Sequence, residues 1–128
     1  MLNPMRRGWS MALSFALVFA VGLVAGVFGR PGVGGGQGYV EEKKLLDNER
    51  VALYEFVFPP GFKGDEHEAP VDEFAYVLEG EFGVVTKGKG KRVVKRGEVE
   101  WAPKGVVHHS VNESKKPARV LVVLLKER

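Results

Sequence analysis

Residues 61–73 read Gly61-Phe62-Lys63-Gly64-Asp65-Glu66-His67-Glu68-Ala69-Pro70-Val71-Asp72-Glu73, and six more residues lead to Gly80. Residues 97–112 read Gly97-Glu98-Val99-Glu100-Trp101-Ala102-Pro103-Lys104-Gly105-Val106-Val107-His108-His109-Ser110-Val111-Asn112. The chain has three histidines, and all of them lie in these two stretches. Pro59-Pro60-Gly61 and Pro103-Lys104-Gly105 are turn signals on composition alone, because Pro presets φ and Gly supplies conformations that other residues adopt at a cost.

Outward from these segments the pattern is strand after strand. Short runs rich in β-branched and aromatic residues cover 51–58, 71–78, 81–87, 92–95, 99–101, 106–111 and 118–125, each bounded by Gly, Pro or polar residues. No stretch beyond residue 40 carries a sustained helical period. Regular short strands of this kind predict an antiparallel sandwich or barrel. The Lys87-Gly88-Lys89-Gly90-Lys91-Arg92 run reads as a solvated hairpin tip. Residues 41–50 read as a polar lead-in with Leu45 and Leu46 as docking points, and Phe56, Phe58, Phe74, Tyr76, Phe82 and Trp101 as barrel packing. Tyr76 alone among these aromatics would bring a hydroxyl to a ligand, if its face is the interior.

The spacings Gly61-x5-His67-x-Ala69-x3-Glu73-x6-Gly80 and Gly97-x5-Pro103-x-Gly105-x2-His108-x3-Asn112 resemble the two signature motifs of the cupin superfamily. The second motif matches throughout. In the first, Ala69 stands where the family ordinarily has a second histidine. The resemblance implies an all-β, small jelly-roll (double-stranded β-helix) barrel over 41–128, a homodimer, and a divalent transition metal held by His67, Glu73 and His108. Two imidazoles and one carboxylate suit non-haem Fe(II), and Mn, Ni, Cu and Zn also fit. Ala69 either opens coordination positions to oxygen or substrate, or marks a site that has lost its metal.

Each of these residues has a plainer reading when taken alone. His67 sits in an acidic neighbourhood where it would simply pair with Glu66 or Glu68, Glu73 would be the polar face of a strand, and His108 a strand-end residue. Their joint spacing is what favours chemistry. Strand alternation gives His67, Ala69 and Glu73 equal parity, so a turn near Pro70 that keeps phase would aim both ligands inward. The same alternation turns His109 away and keeps Glu66, Glu68 and Asp72 from serving as bases in the cavity.

Charge and composition narrow the partners. All 16 acidic side chains and all but three of the 19 basic ones lie in residues 41–128, so the surplus of +3 belongs to Arg6, Arg7 and Arg30. A neutral domain lacks the basic stripe of a nucleic-acid binder. The absence of cysteine excludes a disulfide framework, a thiol nucleophile and a thiolate metal site.

Gly8 to Phe28 is a run of 21 residues without a charge. As a helix it would rise about 30 Å, the thickness of a bilayer's hydrocarbon core. A basic flank before an apolar run describes either an uncleaved signal anchor or a secretory signal, and the length favours the anchor. Arg6 and Arg7 outweigh Arg30, which places the N-terminus in the cytoplasm and the domain outside. Residues 29–38, with six glycines, read as a flexible linker. The expected organisation is a membrane anchor or signal segment over 1–28, a Gly-rich linker over 29–40 and the barrel over 41–128.

Two function classes follow. One is a metal-dependent enzyme, an oxygenase acting on a small molecule. The other is a binding module that captures a small ligand with or without metal. A purely structural domain would make the ligand spacing an accident and ranks last.

Overall fold

A computed structural model describes residues 39–127. The membrane anchor or signal segment expected over 1–28 and most of the linker lie outside them. Among the described residues no helix is long and apolar enough to cross a membrane.

Among the described residues nine strands form two antiparallel sheets: β1 (Glu41–Asp47), β2 (Val51–Phe58), β3 (His67–Glu68), β4 (Asp72–Glu79), β5 (Glu81–Thr86), β6 (Gly90–Lys95), β7 (Val99–Ala102), β8 (Val107–Val111) and β9 (Ala118–Leu125). One sheet runs β1-β2-β9-β4-β7 and the other β3-β8-β5-β6. The strands foreseen over 51–58 and 118–125 end where expected, because alternation is unbroken there: Ala52, Tyr54, Phe56 and Phe58 are buried on β2, and Ala118, Val120, Val122 and Leu124 on β9. Lys87 to Lys89 form the exposed tip of the β5–β6 hairpin, with Gly88 and Gly90 at positive φ.

The core lies between the sheets. Phe56, Phe58, Phe62 and Phe82 form a stacked chain, with successive neighbours of Phe58 at centroid separations of 5.7, 4.9 and 5.9 Å. Such pairs add about 0.5–1.5 kcal/mol each beyond the area they bury. Val40, just before β1, is already part of this core.

Three expectations need correction. Residues 41–47 are an edge strand paired to β2, and a register shift between Lys44 and Leu46 leaves Leu45 and Leu46 exposed rather than docked. Trp101 and Tyr76 are 55% and 42% exposed, because Glu73, Val77 and Ala102 take the inward positions on β4 and β7. Phase on β4 therefore puts Phe74 and Tyr76 outward, where Phe74 stacks on Trp101 at 6.3 Å and Tyr76 cannot offer its hydroxyl to the interior.

Candidate metal centre

His67, Glu73 and His108 come from three strands and both sheets. His67 on β3 is the direct cross-strand partner of His108 on β8, while Glu73 lies across the barrel on β4, paired with Ala102 of β7 and Leu124 of β9. Between His67 and Glu73 the chain crosses from one sheet to the other. Equal parity within one strand was therefore not what aimed them together; the crossover at Ala69–Val71 did. Ala69 is fully buried at this crossover, its N–H donating to Val106 O at 2.7 Å and its carbonyl accepting from Gly105 N at 2.7 Å.

One donor atom from each of the three residues lies within 4.8 Å of the others. His67 Nε2 and His108 Nε2 are 3.1 Å apart, His108 Nε2 is 3.1 Å from Glu73 Oε2, and His67 Nε2 is 4.0 Å from it. Two atoms bound to one ion at about 2.1 Å and near-right or tetrahedral angles stand about 3.0–3.4 Å apart, so two of the three separations already match and the third needs a small approach. His67 Nδ1 lies 3.1 Å from Asp65 O. That bond places the proton on Nδ1 and leaves the Nε2 lone pair facing the centre, the arrangement that commonly orients metal-binding imidazoles.

Glu73 is 4% exposed, and its Oε2 accepts no hydrogen bond among the described residues. A buried carboxylate oxygen without a donor costs free energy, and an imidazole lone pair converging on it adds repulsion. A cation relieves both. The donor set and this orphaned oxygen fit a divalent transition metal, with His67, Glu73 and His108 as its holders.

The other candidates fall elsewhere. His109 is outside the group and pairs in register with Val85. Glu66 and Glu68 are exposed, and Asp72 accepts a bond from Lys104 N at 2.9 Å. Asn112 serves the framework: its Nδ2 donates to Phe58 O at 3.0 Å and Lys116 O at 2.9 Å, while its Oδ1 accepts from Ser114 N and Oγ at 3.0 and 2.7 Å.

A small cleft open to solvent, whose enclosed part of about 20 Å3 has room for about one water molecule, lies beside Glu73 and His108. Its walls are mainly apolar, with Phe58, Phe82, Val84, Val120 and Val122 among them, but Glu100 and Ser110 also line it. Sequence reasoning passed over both. Their usable signal was parity: Glu100 is two residues from Ala102, and Ser110 two from His108.

A family model described as "Cupin domain" matches residues 54–124, more than half of the chain. A germin-like protein, subfamily 2 member 2, of Arabidopsis thaliana is 37% identical over 87 residues, which are 64% of this chain. The chain spans 40% of the length of that relative. Among solved structures, the polyketide cyclase RemF of Streptomyces resistomycificus aligns with TM-score 0.63 and 32% identity over 70% of this chain and 66% of that one. A cupin superfamily protein of Desulfitobacterium hafniense shares the fold at TM-score 0.64 and 21% identity, over 74% and 84% of the two chains. With both signature segments inside the matched region and the ligand residues brought to one point, this chain belongs to the cupin superfamily.

Proposed function

We propose that this protein is a membrane-tethered or exported cupin that binds one divalent transition metal through His67, Glu73 and His108 and uses it on a small molecule. The observation that carries this is the convergence of three donor atoms within 4.8 Å around a buried carboxylate oxygen that accepts no hydrogen bond among the described residues. Bound metal of this class supplies Lewis acidity and, as Fe(II), a place for dioxygen. The chain's own part is to hold the three donors, to fix the His67 tautomer through Asp65 O, and to set mainly apolar walls beside them. An oxygenase suits a three-residue ligand set with open positions. The existence of an enzyme, the cyclase RemF, on a fold 32% identical supports catalysis in general.

A second reading, a small-ligand-binding module without turnover, is favoured by Ala69 at the position where the family motif has a histidine. The apolar run 8–28 with its basic flank supports tethering and an extracytoplasmic domain, or a secreted or periplasmic one after cleavage.

The test is elemental analysis of the full chain, purified with iron, manganese, nickel, copper and zinc all available. About one metal per chain, lost in His67→Ala and His108→Ala, supports the metal centre. A folded barrel without metal overturns it. Oxygen uptake with thiols, diketones and phenolics then separates enzyme from binding module.

A further inference from the structure

The cavity has a second polar level beyond the metal ligands. On the five-stranded sheet, Glu73 stands opposite Ala102, and Ala75 opposite Glu100. On the other sheet His108 stands opposite Thr86, while Ser110, Val84 and Arg92 form the next row. Two residues along a strand is about 7 Å, so Glu100 and Ser110 are each one inward-facing step from a metal-ligand row. Both line the same cavity as Glu73 and His108.

Glu100 is held there. Its side chain is 15% exposed and its Oε2 accepts from Arg92 Nη1, which also donates to Val99 O at 3.1 Å. The Arg92 contact joins the edge strands β6 and β7 and fixes the carboxylate at one oxygen. Among the described residues Oε1 of Glu100 accepts no hydrogen bond. An acidic side chain at the inward position of a strand, in walls made mainly of Phe, Val and Ala, is costly to keep without a partner. Arg92 offsets its charge but leaves one acceptor oxygen uncommitted, on a side chain that lines the same cavity as Ser110.

We propose that Glu100 and Ser110 form a ligand-orienting level of this cavity. The ligand they fit is a small molecule with metal-binding oxygens at one end and a hydrogen-bond donor, hydroxyl or ammonium, at the other. The proposal deepens the metal-centre reading and rests on it. Glu100 accepts from the donor group, Ser110 gives or accepts a second bond, and the apolar walls between the two levels take a short hydrocarbon spacer. Arg92 is a positioning residue that holds Glu100 in place.

Three hydroxamates test this, all sharing one chelating head: 3-aminopropanohydroxamate, 3-hydroxypropanohydroxamate and butanohydroxamate. Their affinities are measured by calorimetry on the metal-loaded full chain, on Glu100→Leu and on Glu100→Gln. A hydrogen bond to a charged acceptor makes the amine or hydroxyl probe bind about tenfold or more tighter than the methyl probe in the parent protein. The preference disappears in Glu100→Leu, with metal content unchanged. Glu100→Gln preserves the size of the side chain and an acceptor oxygen, so it keeps the hydroxyl preference and loses that for the amine. An amine preference alone identifies an ammonium ligand, and a hydroxyl preference alone an alcohol. Equal affinities of the three probes for the metal-loaded parent overturn the proposal and leave the metal centre standing. A chain that takes up no metal defeats the metal reading and this one with it.

Discussion

His67 and His108 are direct cross-strand partners on β3 and β8, and their Nε2 atoms lie 3.1 Å apart with Glu73 Oε2 beside them. With the His67 proton on Nδ1, His108 Nε2 carries the one proton among these three atoms and faces both His67 Nε2 and Glu73 Oε2, so Oε2 is left short of a donor until a cation is bound, and metal and stability are coupled with opposite signs at Glu73. Glu73→Gln replaces the orphaned oxygen with a group that can donate, and the metal-free protein should gain about 1–2 kcal/mol. The same change should remove stabilisation by metal, which in the parent reaches about 2.7 kcal/mol at a hundredfold excess over Kd. Thermal unfolding with chelator and with added metal checks both. A metal-free Glu73→Gln protein that melts below the parent contradicts the argument.

Asn112 is fully buried and ties three carbonyl and hydroxyl partners together at the ends of β2 and β8. Its own N–H and C=O also bond Phe62 O at 2.8 Å and Gly61 N at 2.7 Å. Asn112→Ala strands the carbonyl of Phe58, while Lys116 O keeps its bond from Ser114 Oγ at 2.9 Å, and should cost about 1–3 kcal/mol. Denaturant unfolding measures it, with metal stoichiometry retained in the folded fraction. A loss below about 1 kcal/mol would show that the loops find other partners.

The strands and their inward residues on β2 and β9 were legible because alternation there is unbroken from end to end. The ligand residues were legible only through spacing, since nothing local distinguishes Glu73 from a solvent-facing carboxylate. Phe74, Tyr76 and Trp101 misled because β4 and β7 carry apolar residues on both faces, so hydrophobicity alone does not choose the interior. Glu100 was hidden for the converse reason. A charged residue between Val99 and Trp101 reads as the wet face, while its parity with Ala102 and the pairing of Ala75 with Glu100 turn it inward.

Asp47 joins the end of β1 to the chain just after β9 through Lys126, and Lys44 reaches it at 3.3 Å. The Lys126 hydrogen bond first, then the Lys44 bond and the two ammonium charges, hold its carboxyl below the usual aspartate range against the opposing effect of burial. A carboxyl whose folded-state pKa is depressed contributes stability above its unfolded value near 3.9, and that contribution is lost as pH falls through the folded value. Asp47→Asn should therefore destabilise at pH 7 by no more than about 1 kcal/mol, given solvent screening, and the difference should vanish in acid below the aspartate range. Unfolding of parent and variant across pH 2–7 measures it. A gap that persists undiminished at the acid end would mean the effect is packing rather than charge.

Leu46, Leu53, Val123, Phe74 and Trp101 form one continuous apolar row across the outer face of the five-stranded sheet, strand partner to strand partner. Leu121, Tyr76 and Val99 make a second row beside it. Five residues of this face, Leu46, Tyr76, Val99, Trp101 and Leu125, are each 39–55% exposed. An exposed apolar patch of this kind, bordered on the same face by the Glu55–Arg119 ion pair, suits an interaction surface, and a twofold axis would set it against its own copy. We propose that a second copy of the chain covers it. Sedimentation of the full chain in detergent should then show a dimer, and Val123→Glu or Trp101→Glu should give monomers with unchanged metal content. Because neither side chain lies inside the barrel, loss of metal in these variants would place the dimer upstream of the site. A monomeric parent protein with this face uncovered would overturn the assignment.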